Sequence, residues 1–230
     1  MSHDHSRDHA SEHSGDPSAE MTNPFGMEFW DERYRSSDRI WSGEPNPRLV
    51  EHVGSLTPGD ALDVGSGEGA DAIWLASRGW QVTAVDVSTV ALDRAARRAA
   101  AVGEAVAGRI LWQQADVLSW DPAQQQFDLV SAQFMHLPPA ERESLHRRLA
   151  AAVRPGGTLL VVGHHPSDLE TTMRRPNRPD LLFTAEEIVA TLEAGEWQVV
   201  VAAAFERQAV DPEGRPVSIR DSVLRATRHR

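Results

Sequence analysis

The segment Ala61-Leu-Asp-Val-Gly-Ser-Gly-Glu-Gly-Ala70 joins two elements of regular structure through a glycine turn. Its apolar start, residues 61–64, is typical of a buried strand. Apolar residues then recur at helical spacing from Ala72 to Ala76, and Gly79 ends that helix. Glycines let a backbone approach a bound molecule closely, and the free N–H groups at a helix start attract an anionic group. The segment therefore predicts a strand, a turn and a helix that together form a ligand cradle.

Two further apolar runs end in aspartate. Residues 80–85 lead into Asp86, and residues 110–115 lead into Asp116. Because ligands in open α/β sheets bind at the carboxyl ends of the strands, both carboxylates are expected beside the glycine turn. The alternative for each is a structural role, since aspartate often caps the following helix.

Strands and helices alternate along the rest of the chain. Strands are predicted at residues 127–134 and 158–163, with a helix between them, and two closing strands at residues 197–205 and 217–226 form a hairpin. This alternation predicts an α/β fold with a parallel sheet, helices on both faces and an antiparallel strand at the end. The sequence shows no internal repeat and no second domain.

The glycine spacing has two interpretations. Gly65, Gly67 and Ala70 also match the dinucleotide fingerprint G-x-G-x-x-G/A, which would indicate an NAD-dependent oxidoreductase. The closing hairpin and the lack of a separate substrate domain weigh against that class.

The combined pattern resembles the class I S-adenosylmethionine (SAM) methyltransferases. It consists of Asp63-Val-Gly-Ser-Gly-Glu-Gly, Asp86-Val-Ser and Asp116-Val. The N-terminal segments Phe29-Trp-Asp-Glu-Arg-Tyr and Trp41-Ser-Gly-Glu-Pro-Asn-Pro resemble the branch that includes the tellurite-resistance and thiopurine methyltransferases. The resemblance implies a three-layer, Rossmann-like α/β sandwich around a seven-stranded, mostly parallel sheet of order 3-2-1-4-5-7-6, in which strand 7 is antiparallel.

The resemblance also implies which residues hold the cofactor. The glycine turn would approach the methionine part of SAM, and Asp86 would accept hydrogen bonds from both ribose hydroxyls. Asp116 and the backbone N–H of Val117 would contact the adenine ring. The full set implied to bind SAM is Trp41, Asp63, Gly65, Ser66, Gly67, Gly69, Asp86, Val87, Asp116, Val117 and Gln133. Ser66 stands where many members of the thiol-methylating branch have cysteine.

Three histidines are the candidate catalytic residues. His164 and His165 follow a predicted core strand, and because successive strand residues point to opposite faces, at most one of them faces the substrate. His136 follows the preceding strand, with capping or packing as its alternative role. Alignment of the reacting groups can supply roughly 7–11 kcal/mol, and a general base is needed only if the acceptor arrives protonated.

The predicted function is methyl transfer from SAM to a small-molecule acceptor, with a thiol or metalloid as the first hypothesis and an oxygen or nitrogen as the second. Residues 131–136, Ser-Ala-Gln-Phe-Met-His, lack the Asn/Asp-Pro-Pro-Tyr motif of enzymes that methylate DNA adenine or protein glutamine. A SAM-binding protein without catalysis is an alternative of another class. Arg174, Arg175 and Arg178 could attract an anionic acceptor, although a solvated loop is the favoured interpretation.

Composition limits the partners. The chain has 230 residues, a formal net charge of −11 and no cysteine, which excludes disulfides, thiolate metal sites and a cysteine nucleophile. No basic stripe for nucleic acid and no membrane span are evident. The arginines at 94, 97 and 98 and at 147 and 148 are interpreted as solvated helix faces. We therefore expect a cytoplasmic monomer or homodimer without a bound metal.

The N-terminal region divides into two parts. Residues 1–23 carry four histidines among polar residues and are predicted to be a disordered tail, with a metal-binding arm as the alternative. Residues 24–230 are predicted to form one methyltransferase domain. Within it, residues 24–57 form an N-terminal helical lid, for which patching the edge of the core is the alternative.

Overall fold

Seven strands form one sheet at the centre of the computed structural model, which describes residues 25–175 and 178–230. The strands are β1 (Asp60–Val64), β2 (Gln81–Asp86), β3 (Ile110–Gln114), β4 (Phe127–Gln133), β5 (Val153–His164), β6 (Trp197–Val210) and β7 (Pro216–Arg228). The helices are α1 (Met27–Arg35), α2 (Pro47–Val53), α3 (Ala70–Ser77), α4 (Thr89–Val102), α5 (Glu104–Ala107), α6 (Pro139–Ala152) and α7 (Ala185–Val189). The tail predicted at residues 1–23 lies outside the described residues.

The strand order is β3-β2-β1-β4-β5-β7-β6. Strands β1 to β5 run parallel to one another, whereas β7 runs antiparallel to both β5 and β6. The predicted fold class, strand order and antiparallel strand are therefore confirmed. The order reverses between β1 and β4, which is where an open α/β sheet leaves a crevice for ligands at its carboxyl edge.

Two apolar cores cover the opposite faces of the sheet. Helices α6 and α7 pack into one core, and α2, α3 and α4 pack into the other. The strands serve both cores by alternation: on β4, Leu129 faces the second core and Val130 the first. The helices on both faces give the three predicted layers.

Several helices begin at caps that the sequence makes recognisable. The Asn46 side chain accepts the Arg48 N–H at 2.9 Å at the start of α2, and the Ser88 hydroxyl accepts the Ala91 N–H at 3.2 Å at the start of α4. Helix α7 begins at a reciprocal capping box between Thr184 and Glu187. Among the described residues, no helix combines the length and the apolar composition needed to cross a membrane.

The later strands are longer than predicted. Strand β5 begins at Val153 rather than at residue 158, directly after helix α6 ends at Ala152. A proline biases the residue before it away from helical backbone, which favours extended backbone ahead of Pro155. The closing strands are longer than predicted, because their antiparallel register continues to the pair Val210 and Pro216.

Candidate active site

The glycine turn leaves the carboxyl end of β1 with left-handed backbone at alternate residues. Gly65, Gly67 and Gly69 have φ angles of +71°, +51° and +80°. The N–H groups of Gly65 and Ser66 both donate to the Val85 carbonyl of β2, at 2.8 and 3.0 Å. The turn is therefore anchored to the neighbouring strand, and α3 begins directly after it.

Side chains from other parts of the chain lie against this turn. A Cβ atom at Gly65 would clash with the Met135 sulfur, and one at Gly67 would lie 2.9 Å from the Tyr34 hydroxyl and 3.3 Å from Trp41 Nε1. Glycine is required at both positions by the φ angle and by these close approaches. Trp41, predicted to bind the cofactor, is thereby placed at the turn although it lies far away in sequence.

Asp86 lies at the tip of β2 and binds the turn. Its Oδ2 accepts the Gly67 N–H at 2.8 Å, and its Oδ1 accepts the Ser88 N–H at 2.9 Å. The carboxylate is 7% exposed, and this burial raises its pKa above the usual range although the backbone N–H groups of Ser88, Gly67 and Val87 act in the opposite direction. Val87, which follows Asp86, accepts a hydrogen bond from Gln114 through its carbonyl at 3.4 Å.

Asp63 is a buried carboxylate with an unused oxygen. It is 2% exposed, and the described residues offer no hydrogen-bond donor to its Oδ2. Burial raises its pKa well above the usual range, and the nearby carboxylates of Asp71 and Asp86 raise it further, while the Ala72 N–H acts in the opposite direction. A buried carboxylate with one unused oxygen, beside two further carboxylates, forms a site of negative potential.

Asp71 connects the turn to the N-terminal region and to β4. Its Oδ1 accepts the backbone N–H of Asn46 at 2.6 Å. The Asn46 amide donates to Gln133 Oε1 at 2.8 Å, and the Gln133 amide donates to the Ser131 hydroxyl at 2.8 Å. Gln133, predicted to lie beside the cofactor, is thus held in a defined orientation at the end of β4. Burial raises the pKa of Asp71 to about 6.

We expect Asp71→Asn to stabilise the protein at neutral pH relative to the wild type. A carboxyl whose folded pKa is raised from 3.8 to about 6 stabilises the fold in its neutral form, and this contribution is lost as pH rises from 3.8 through 6. The advantage of the variant should be absent near pH 4 and reach about 1–3 kcal/mol above pH 6.5. Urea unfolding at a series of pH values measures this difference. Asp93→Asn, an exposed site on α4, is the control, and parallel curves for wild type and Asp71→Asn would contradict the expectation.

Asp116 closes a turn and does not cap a helix, since the next element after β3 is strand β4. Its Oδ1 accepts the Leu118 N–H at 2.9 Å, and its carbonyl accepts the N–H groups of Ser119 and Trp120 at 3.0 and 2.7 Å. The neighbouring Val117 is buried in the first core. The turn lies just beyond β3, at the same sheet edge as Asp86, so Asp116 stays beside the crevice.

Two of the candidate histidines lie stacked on each other. The rings of His136 and His164 have centroids 4.6 Å apart and are inclined by 16°, and Phe134 lies 4.6 Å from His164. His136 Nε2 accepts the backbone N–H of His164 at 3.0 Å. His164 Nδ1 is buried without a hydrogen-bond partner among the described residues.

Both stacked imidazoles are neutral at physiological pH. Burial lowers the pKa of His136 to about 4, and the charges of Arg175 and Arg142 lower it further. Burial lowers the pKa of His164 to about 2, with added contributions from His136 and Arg175. Neutral rings of such low basicity are poor general bases, but they can pack against a substrate or accept a hydrogen bond.

His165 faces a different environment. Its Nδ1 lies 2.9 Å from the Ser167 hydroxyl and accepts the Ser167 backbone N–H at 3.1 Å, which caps the 3₁₀ helix that follows. Because this ring nitrogen is used within the loop, His165 contributes to loop structure. It is not a member of the stacked pair.

The loop arginines differ from their predicted solvated state. The guanidinium of Arg175 forms an ion pair with Asp168, which is fully buried and also accepts the backbone N–H of Arg220 at 2.8 Å. The solvated interpretation is therefore wrong for Arg175, because burying Asp168 requires a compensating cation. It is confirmed for Arg178, which is half exposed and pairs with the exposed Asp180.

The arginines of α4 also differ from the prediction. Arg94 forms an ion pair with Glu68 at 3.1 Å, and Arg98 donates to the Glu68 carbonyl at 2.7 Å. Only Arg97 of this group is exposed to solvent. The helix periodicity explains the difference, since residues 94 and 98 are one turn apart and share a face that 97 does not.

Sequence reasoning missed five residues that the fold brings to the site. They are Tyr34, Glu68, Asp71, Arg98 and Met135. For Arg98 a signal was available, because its i, i+4 spacing from Arg94 places both side chains on one face of α4. No local pattern distinguishes Tyr34 or Met135 from ordinary core residues, because their contacts with the turn join distant parts of the chain.

The chain is similar in sequence to known methyltransferases. Residues 61–157 match the family model of the methyltransferase domain. A probable thiol methyltransferase 2 of Arabidopsis thaliana is 29% identical over 138 residues, which are 58% of this chain and 60% of that protein. An uncharacterized methyltransferase of Mycobacterium tuberculosis is 40% identical over 127 residues, 54% of this chain and 61% of that protein. The chain spans about three fifths of the length of each of these relatives.

Solved structures have the same fold. A protein from work on the conversion of a disulfide bond into a thioacetal group during echinomycin biosynthesis has a TM-score of 0.67 and 22% identity, over 88% of this chain and 91% of that chain. TehB from Haemophilus influenzae has a TM-score of 0.63 and 16% identity, over 89% of this chain and 67% of that chain. Residues 61–157 therefore match the methyltransferase domain family, and the chain shares the overall fold of these solved structures.

Proposed function

We propose that the protein transfers the methyl group of SAM to a small-molecule acceptor. The observation that carries this proposal is the buried Asp63 carboxylate, whose Oδ2 has no donor among the described residues and which lies near Asp71 and Asp86. Such a cluster favours a ligand with positive charge and repels an anionic one. SAM carries an ammonium and a sulfonium, whereas a nicotinamide dinucleotide would place its pyrophosphate near this turn.

The residues around the turn fit the cofactor. An ionised carboxylate offers about four acceptor sites, so Asp86 can accept from a ribose hydroxyl in addition to its backbone donors Gly67, Val87 and Ser88. Asp63 and the glycine backbone would hold the methionine part, and Asp116 with Val117 the adenine ring. Ser66, Gly69, Val87 and Trp41 would complete the contacts, and Gln133 would lie beside the sulfonium. Bound SAM supplies an electrophilic methyl group, and the protein aligns the acceptor with it and excludes water.

A thiol is our first choice of acceptor. The stacked His136 and His164 are too weakly basic to deprotonate an alcohol at neutral pH, whereas a thiol of pKa about 8.5 is partly ionised without help. The positive charge of Arg175, which acts on both rings, also favours an anionic nucleophile. The likeness to a probable thiol methyltransferase supports the same choice.

Two experiments test the function. Calorimetry with SAM, S-adenosylhomocysteine (SAH) and NAD separates the cofactor classes, and binding of NAD alone would overturn the proposal. Turnover with a panel of thiols, selenite, tellurite, phenols and amines then identifies the acceptor. SAM binding without turnover on any of them would favour the non-catalytic alternative. Methylation of phenols or amines alone would favour an oxygen or nitrogen acceptor.

We expect the pH dependence of kcat/KM to follow the ionisation of the acceptor rather than the ionisation of a histidine. The rate with a thiol should rise with pH up to the pKa of that thiol, and a thiol of lower pKa should shift the curve to lower pH by the same interval. His164→Gln should change kcat less than 10-fold, because the wild-type imidazole is already neutral. A curve with an inflection near pH 6.5 that disappears in His164→Gln would instead assign a general base.

The N-terminal residues 24–57 are proposed to act as a lid over the cofactor. Trp41 and Tyr34 supply the support, since both lie against Gly67. The cytoplasmic location and the monomeric or dimeric state remain predictions from the sequence.

A further inference from the structure

Glu68 lies within the glycine turn but its side chain contacts the N-terminal region. Its Oε2 accepts two consecutive backbone N–H groups, those of Ile40 and Trp41, each at 3.2 Å. Its Oε1 accepts a hydrogen bond from Arg94 at 3.1 Å. The residue is 3% exposed, so a buried carboxylate joins the turn to a segment that precedes it by almost thirty residues.

Arg98 adds a second connection between the same two segments. One of its nitrogens donates to the Glu68 carbonyl at 2.7 Å, and the other donates to the Gly43 carbonyl at 2.9 Å. The planar guanidinium fixes the distance between these two carbonyls, because its donors form a rigid fork. Residues 36–46, which we call the strap, are therefore held to the turn at Ile40, Trp41 and Gly43.

The strap in turn places groups at the cofactor turn. Trp41 Nε1 donates to the Tyr34 hydroxyl at 3.1 Å, and both groups lie within 3.3 Å of a Cβ position at Gly67. At its far end, the backbone N–H of Asn46 binds Asp71, and the Asn46 side chain orients Gln133. The contacts of Glu68 and Arg98 thus hold the strap where it covers the turn.

We propose that Glu68, supported by Arg98, is a positioning residue that seats the strap over the glycine turn and so sets the rate at which cofactor enters and leaves. The part that concerns cofactor rests on the proposed function. A carboxylate suits this position because one oxygen accepts both N–H groups while the other neutralises Arg94. The strap has to leave Glu68 when cofactor exchanges, since Trp41 and Tyr34 cover Gly67.

Limited trypsin digestion measures how firmly the strap is held to the glycine turn in the ligand-free protein. Cleavage after Arg39 cuts the peptide bond whose N–H, that of Ile40, is bound to Glu68. We expect Glu68→Ala to accelerate this cleavage at least 10-fold, as followed by mass spectrometry, and Glu68→Gln to have a smaller effect. The amide oxygen of Gln still accepts both N–H groups, but the ion pair with Arg94 is lost. Equal cleavage rates in wild type and Glu68→Ala would overturn the seating role.

Stopped-flow tryptophan fluorescence measures the effect on cofactor exchange. We expect SAH to dissociate at least 10-fold faster from Glu68→Ala, with a raised KM for SAM and a kcat within about 3-fold of wild type. Arg98→Ala should show the same pattern without substituting a residue of the turn, which covers the case in which Glu68→Ala does not fold. Arg97→Ala, an exposed site on the same helix, should match the wild type in both assays.

The two assays separate the failure of this inference from that of the proposed function. A wild-type protein that binds neither SAM nor SAH would end the proposed function, yet the cleavage assay would still decide whether Glu68 seats the strap. Normal SAH binding with unchanged dissociation in both Glu68→Ala and Arg98→Ala would end the inference and leave the proposed function intact.

Discussion

Replacing Asp86 with alanine should weaken SAM binding by about 100- to 1000-fold. The substitution removes the acceptor for the Gly67 N–H, which shapes the turn, and the lone pairs available to the ribose hydroxyls. Hydrogen bonds to charged groups contribute about 1.5–3 kcal/mol each, so the loss of two amounts to about 3–6 kcal/mol. The expected 100- to 1000-fold loss corresponds to about 3–4 kcal/mol, the lower part of that range. Isothermal titration calorimetry with SAM and with SAH measures the effect, which should be similar for both because they share the ribose.

Two further variants control for the fold in this experiment. Asp86→Asn keeps an acceptor for Gly67 and should lose about 10-fold in affinity, which would show that the alanine effect is not caused by unfolding. Asp121→Ala removes a carboxylate that is 79% exposed and should bind SAM like the wild type. Affinity of Asp86→Ala within 3-fold of wild type would refute the role assigned to Asp86.

Replacing Asp63 with asparagine should have opposite effects on stability and on binding. In the ligand-free protein, Asp63 is a buried carboxylate whose pKa is raised by burial and by Asp71 and Asp86, so a neutral isostere relieves an unfavourable charge. We expect the melting temperature to rise by several degrees, since 1 kcal/mol corresponds to about 2–4 °C in a domain of this size. The affinity for SAM should fall by about 10- to 100-fold, because the positive charge of SAM loses the Asp63 carboxylate as a partner.

Differential scanning fluorimetry with and without SAM reads both effects of Asp63→Asn in one assay. The variant should start from a higher melting temperature and gain less from added SAM than the wild type does. The amide oxygen of asparagine still accepts the Ala72 N–H, so the turn should keep its shape. A variant that is less stable and yet binds SAM normally would show that Asp63 has only a structural role.

The main elements of the fold were predictable because their signals are local. The apolar run before Gly65, the helical spacing after it and the caps at Ser88 and Thr184 depend on residues that are close in sequence. The boundaries near Pro155 and Val210 were predicted less well. Where a strand ends depends on its register with a partner strand, and single-strand patterns do not contain that register.

The candidate site was predictable in part. Asp63, Asp86 and Asp116 were predicted from their positions at strand ends, and the sheet order brings those ends to one edge. The connections made by Glu68, Asp71 and the two arginines of α4 were not predicted, since each joins the turn to a distant segment. A buried charge is recognised only when its burial and its partner are both known, as the ion pair of Asp168 and Arg175 illustrates.

The sequence alone determined the order of strands and helices, the glycine turn and the family resemblance, because these follow from short-range spacing and residue type. Only the tertiary structure decided which charges are paired, which histidines stack and how the strap lies over the turn. The physical reason is that burial and long-range hydrogen bonds arise when distant segments pack, and the same residue then becomes a solvated charge or a buried anchor according to its neighbours.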